Sequence, residues 1–201
     1  MHEQSYDGQS LFGPSDSRKY LNAAERHRFV EAVRHMPSKI RPFCLTLRWS
    51  GARISEALAL TPAAIDIKSG VACIETLKRR KRGIVLQVLL PPDVLHELNH
   101  AFKPRIAQRD PQVATLRLWG WSRTTAWCYV KAVMAAAGIT GRPAMPKGLR
   151  HGFGLNAFPS NVPPHLMQRW LGHASLRTTF IYGDVIGAEE RGFAARMWQD
   201  R

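Results

Sequence analysis

LGHASLRTTFIY, residues 171–182, sets His173 nine positions ahead of Tyr182, and it follows KGLRH, residues 147–151, at the start of a helical pattern. Lys147, Arg150, His151, His173 and Tyr182 thus fall within the 36 residues from 147 to 182. Displacing an oxygen at a phosphodiester without a metal takes positive groups around the two non-bridging oxygens, a nucleophile in line and an acid for the leaving oxygen. These residue types are a kit for that attack.

Upstream, GARISEAL (51–58) adds Arg53, with Glu56 and Ala57 on the same helical face by i, i+3, i+4 spacing. An isolated R-x-x-E is most often a simple ion pair. Arginine also suits phosphate, because it stays charged and its planar fork holds two oxygens at once. Both readings can hold, with Glu56 orienting the guanidinium.

Taken in order, GARISEAL, KGLRH, LGH and the T-T-x-I-Y ending at Tyr182 resemble the signature of the tyrosine recombinase (phage integrase) family: a first arginine motif, H-x-L-R-H, L-G-H, then eight residues and a nucleophilic tyrosine. The resemblance covers residues 20 to 200, in a length similar to that of the fimbrial switch recombinases. It implies a catalytic set of Arg53, Lys78, Lys147, Arg150, His173 and Tyr182. Lys147 stands where the motif usually has histidine; it can donate to a non-bridging oxygen, but as a base toward tyrosine it needs a depressed pKa. Lys78 matches the family's mobile lysine, which protonates the leaving oxygen, although Lys81 lies three residues on in the same basic run. His173 is expected to donate to the phosphate or to steady Tyr182, and His151 to support from behind. The implied reaction is strand cleavage and religation through a 3′-phosphotyrosyl link, requiring neither ATP, metal nor other cofactor, on double-stranded DNA. A dimer per site and a tetramer at the synapse would be needed, with an accessory recombinase or DNA-binding protein as a further partner. The separate N-terminal helical domain of most members is expected to be absent.

Charge agrees with that partner. Against 29 Lys and Arg stand 15 Asp and Glu, a net charge of +14. Such an excess suits a polyanion, because each cation set against a phosphate releases counterions. The run Lys78, Arg79, Arg80, Lys81, Arg82 reads as a charged hairpin tip. Ser122, Arg123, Thr124 and Thr125 open a helix that the family lays in the major groove, Ser122 serving equally well as a plain N-cap. No stretch approaches the roughly 20 apolar residues that cross a bilayer, and the N-terminus lacks the parts of a signal peptide, so a cytoplasmic, DNA-associated protein is expected. Cys44, Cys73 and Cys128 read as buried thiols.

The remaining pattern is mostly helical, and 201 residues are enough to bury about 70% of the unfolded surface around one core. Residues 1–18 read as a flexible tail, and 19–201 as one catalytic domain whose last segment, 183–201, carries an apolar helical stripe that packs in cis or docks on a neighbour. Asn22 with Glu25 forms a capping box for a helix to about Met36. Pro37 and Pro42 bracket a turn before a second helix. Val71 to Leu77 and Ile84 to Leu90 form a hairpin. Pro91 and Pro92 start a helix to about Phe102, and a loop with a short strand at Leu116 to Trp119 follows. Helices run from Ser122 to Gly138 and from Pro146 toward Pro159, and short helices finish the chain. The fold class is α+β, mostly α, with a small antiparallel sheet on one edge.

One match competes. His96-Glu97-Leu98-Asn99-His100 fits the H-E-x-x-H of zinc peptidases, but the sequence supplies no third ligand at the expected spacing. A DNA-binding regulator that has lost catalysis is the other alternative.

Overall fold

Helix α1 (Ala23–Arg34) begins where the sequence places its cap: Asn22 Oδ1 accepts from the Glu25 N–H at 2.8 Å, and the Glu25 carboxylate accepts from the Asn22 N–H at 3.0 Å. Arg18 closes on the same carboxylate from outside. The computed structural model describes residues 11–13, 17–76 and 83–183. The basic run Lys78 to Arg82 and the C-terminal stretch from Asp184 lie outside the described residues.

Helix α2 (Ile40–Ser50) is the centre of the fold and is buried on nearly every side, packing against α1, α4 (Pro92–Phe102) and α8 (Pro146–Ala157). Pro42 does not close a turn, as expected, but occupies the third helical position, where a missing N–H costs nothing because no intrahelical partner awaits it. The helix stops at Gly51, whose φ of 65° is left-handed. A Cβ there would lie 2.6 Å from Phe153 Cδ1 and 2.9 Å from Leu171 Cδ2. Glycine therefore serves both the turn and the close approach, and it brings the start of α3 (Ile54–Leu58) against α8 and α9 (Pro164–Leu171).

A three-stranded antiparallel sheet follows, in the order β1 (Ile65–Asp66), β2 (Val71–Glu75), β3 (Val85–Leu89). Ala72 pairs with Val88 and Ile74 with Leu86, and these four face the core, while Glu75, Val85, Gln87 and Leu89 face outward. The hairpin is as expected; β1 is too short for an alternation signal. Helix α4 (Pro92–Phe102) buries Val94 and Leu98. The expected loop contains two single-turn helices, α5 (Pro104–Ala107) and α6 (Pro111–Ala114), the second capped by Asp110. No strand forms at 116–119. Leu118 donates to Leu60 O at 2.9 Å, while buried Trp119 packs edge-on against Phe43 and Phe102 and donates to Lys39 O at 2.8 Å. Aromatic anchoring, not ladder pairing, holds this segment.

Helix α7 (Arg123–Ala136) is capped by Ser122, whose Oγ accepts from the Thr125 N–H at 3.0 Å, and Gly138 follows its end with φ 63°. Helices α8 (Pro146–Ala157), α9 (Pro164–Leu171) and α10 (Arg177–Phe180) complete the described chain. A second, smaller cluster beside the main core contains Leu11, Phe153, Ala157, Met167, Leu171 and Tyr182. Leu11 is 2% exposed and Phe12 pairs with Arg18 in an antiparallel bridge, so this part of the stretch read as a tail belongs to the packed fold. Of the cysteines, Cys44 is buried, Cys73 half-buried and Cys128 exposed, which corrects the expectation of three buried thiols. The architecture is mostly helical with one small antiparallel sheet.

Candidate active site

Four separated segments meet at one cleft of about 580 Å³, whose walls carry Arg53, Lys147, Arg150, His173 and Tyr182 together with Glu56, His151 and Arg123. Arg53 caps α3. Its backbone N–H donates to Glu56 Oε2 at 2.8 Å and its Nη1 to Glu56 Oε1 at 2.6 Å, with Glu56 only 1% exposed. The ion-pair and phosphate readings of Arg53 are compatible, since one buried carboxylate fixes the guanidinium while the side chain still borders the cleft.

Arg150 lies in the second turn of α8. Nη1 donates to Gly51 O at 2.6 Å and Nη2 to Leu171 O at 2.5 Å, so the guanidinium ties the α2–α3 junction to the end of α9. Burial, helped by the charge of Arg53, brings its pKa down to about 10, which leaves it charged at neutral pH. Two guanidiniums that disfavour each other, with an exposed Lys147 on the first turn of α8, face one buried carboxylate. Such a cluster is stabilised by an anion, and the helix N-terminus beside it adds to the attraction.

Tyr182 is 1% exposed. Its hydroxyl stands 3.3 Å from His151 Nδ1, and its ring stacks on that of His173 with centroids 6.2 Å apart and planes 15° apart. His173 is held in turn by Thr179, Nδ1 to Oγ1 at 3.0 Å. A Cβ on Gly154 would come within 2.6 Å of the Tyr182 ring, so the glycine makes the seat for the phenol. Burial raises the Tyr182 pKa to about 12, against the opposing pull of Arg150 and Arg53. His151 is pushed down to about 3, by burial first and then by Lys147, Arg150, Lys19 and His173. It is therefore neutral, and its Nε2 has no partner.

Of the expected set, Arg53, Lys147, Arg150, His173 and Tyr182 converge, and Glu56 and His151 touch Arg53 and Tyr182 directly. Lys78, Arg79, Arg80, Lys81 and Arg82 lie outside the described residues. Ser122 is engaged as a cap and is also 2.9 Å from Thr125 Oγ1, while Thr124 is exposed on α7. Sequence reasoning missed Trp127, which lines the cleft, and Gly154. A signal for the second existed: three glycines in α8, at 148, 152 and 154, each weaken a helix and so point to close packing. On α4, His96 and His100 are exposed and Glu97 accepts from Arg41 Nε at 2.9 Å. Among the described residues no group of three or more His, Cys, Asp or Glu comes together as metal ligands would.

The chain is 26% identical to a resolvase of Escherichia coli over 201 aligned positions, 85% of this chain and 75% of that protein. It is 30% identical to the tyrosine recombinase XerD of Corynebacterium glutamicum over 164 positions, 78% of this chain but 53% of that protein. A XerD of Xanthomonas axonopodis pv. citri is 27% identical, with 64% of its length covered, so the chain spans less than two thirds of these XerD relatives. In fold it is similar to the XerA recombinase crystal structure, with TM-score 0.71 and 21% identity over 89% of this chain and 64% of that one. It is similar also to the XerH recombinase bound to its difH substrate, with TM-score 0.67 and 20% identity over 93% and 59%. The phage integrase family model matches residues 19–187, which run from before α1 to beyond Tyr182, and the chain belongs to the phage integrase family.

Proposed function

We propose that this protein is a tyrosine-type, site-specific DNA recombinase that cuts and rejoins strands without metal or ATP. The observation that carries the reading is the convergence of Arg53, Lys147, Arg150 and His173 around Tyr182 in a single cleft. Arg53 and Arg150, each fixed by its own hydrogen bonds, hold the non-bridging oxygens of one phosphodiester and offset the charge that grows there in the transition state. His173 and Lys147 add donors. As the Tyr182 oxygen attacks phosphorus its proton passes to the neutral His151, whose Nδ1 stands 3.3 Å away; the phosphorus–5′-oxygen bond breaks, and the departing oxygen takes a proton from Lys78 or Lys81. The product is a 3′-phosphotyrosyl ester and a free 5′ hydroxyl, and attack by a 5′ hydroxyl of the same or a partner duplex returns the tyrosine. One phosphodiester replaces another, so the exchange is close to isoenergetic.

Double-stranded DNA is the partner that fits a net charge of +14, and XerH, a neighbour in fold, is a recombinase bound to a DNA substrate. Exchange between two duplexes calls for four protomers at the synapse. No helix among the described residues is long and apolar enough to cross a membrane, and the reading of DNA as substrate supports a cytoplasmic, DNA-associated protein.

The test is covalent trapping. The protein is incubated with fragmented DNA of its own organism, denatured, and the protein-linked fragments are sequenced. Recovery of a recurring site linked through Tyr182, lost in Tyr182→Phe while DNA binding persists, is the expected result. Binding without any adduct would identify a DNA-binding regulator instead; an adduct that survives Tyr182→Phe would assign the nucleophile elsewhere.

A further inference from the structure

Helix α7 presents Arg123, Trp127 and Lys131 at i, i+4 and i+8, a cation, an aromatic ring and a cation along one face. Arg123 and Trp127 both line the cleft that holds Tyr182. Trp127 is 42% exposed. Trp49, Trp119, Trp121 and Trp170 all pack into or against the hydrophobic clusters; among the described tryptophans Trp127 alone joins neither. Lys131 donates to Ala144 O at 2.8 Å and stands 5.9 Å from the indole centroid, which steadies the ring without removing it from solvent.

We propose that Trp127 is a stacking platform for the nucleobase that flanks the phosphodiester to be cut. The inference rests on the recombinase reading. An apolar protein partner fits this indole poorly, because covering it would also strip water from Arg123 and Arg53 in the same wall. A nucleotide fits well: its phosphate meets the cations and its base offers a flat π-face, whatever the sequence. Inside a duplex that face is already covered by its neighbours. Strand exchange uncovers it, since the end bearing the free 5′ hydroxyl has to leave its complement before attacking a second phosphotyrosine. The indole then replaces the lost base–base stacking at the position where the strand opens.

The experiment uses the site recovered by covalent trapping, built as a duplex with sulfur in place of the bridging 5′ oxygen, so that the thiol end attacks back poorly and the cleaved state accumulates. 5-Iodouracil is placed at the base on either side of the cut, in separate duplexes. On irradiation, one of the two is expected to crosslink to the peptide containing Trp127. Trp127→Ala should lose that crosslink and, on all-oxygen duplexes, join the cut end to a second duplex about 5- to 150-fold more slowly, while Trp127→Phe keeps most of both. Crosslinks at neither base, or only to other peptides, together with wild-type strand exchange by Trp127→Ala, would overturn the platform and leave the recombinase standing. No phosphotyrosyl adduct from the wild-type protein would overturn the recombinase reading, and the platform falls with it.

Discussion

The hydroxyl of Tyr182 lies 3.3 Å from Nδ1 of His151, and burial moves the two groups in opposite directions, the phenol up to about 12 and the imidazole down to about 3. Both shifts favour the neutral form, and the pair therefore stabilises the fold only while both partners are uncharged. For His151 the unfolded chain takes up a proton first as pH falls below 6.5, so stability is lost from there toward pH 3. For Tyr182 the unfolded chain loses its proton first above pH 10, so stability is lost from there toward pH 12. The free energy of unfolding by denaturant should be flat between these limits with respect to this pair. The acid arm is worth up to about 5 kcal/mol. His151→Asn should flatten it, and an unchanged acid arm in that variant would show that the imidazole is not held neutral.

Gly154→Ala sets a methyl group against the Tyr182 ring. The added Cβ meets three ring carbons at 2.6 to 2.7 Å, and a ring that is 1% exposed between α8 and His173 has little room to retreat. Overpacking of this kind costs about 1–3 kcal/mol. The melting temperature should fall, and Tyr182 should become open to nitration by tetranitromethane, as judged by mass spectrometry of its peptide. Wild-type stability with Tyr182 still protected would mean that the seat is looser than its geometry.

Much of this arrangement is legible in the chain itself. The capping box at Asn22, the hairpin and the starts of α7 and α8 obey short-range rules, and the spacing of KGLRH and LGH to Tyr182 carries the site because those residues lie on α8 and in the turns that directly follow α9 and α10. What escaped depends on distant partners. Leu11 has no periodic neighbours to mark it, and only the surface built by α8 and α9 makes it core. Trp119 looks like a strand residue until Phe43 and Phe102 surround it. That Tyr182 is the partner of His151 escapes for the same reason, since the contact spans 31 residues and the two intervening helices α9 and α10.

Leu11→Ala distinguishes a tail from a packed segment. A residue of a solvated tail changes stability by at most about 0.5 kcal/mol, whereas truncating a buried leucine costs about 2–5 kcal/mol. Leu11 is 2% exposed and shares a cluster with Tyr182, so we expect the larger loss, read from urea unfolding. The same variant should loosen the seat of the phenol, making Tyr182 easier to nitrate.

Glu56 shows how a buried charge acts through a neighbour. Its carboxylate accepts from both the backbone N–H and Nη1 of Arg53, and its side chain is 1% exposed against 30% for that of Arg53. Glu56→Gln keeps the shape but removes the charge that holds the guanidinium in one orientation. Arg53 stays hydrated at its open edge, so DNA binding should change little. Cleavage should fall about 10²-fold, the scale on which a small misplacement at a reacting centre acts. Glu31→Gln is the control. It removes the partner of Arg34 at the same i, i+3 spacing, but with side chains 43% and 69% exposed and far from the cleft, where such pairs contribute little. Equal cleavage rates for Glu56→Gln and Glu31→Gln would show that Arg53 needs no orienting carboxylate, and that its approach to phosphate is set by the α3 backbone alone.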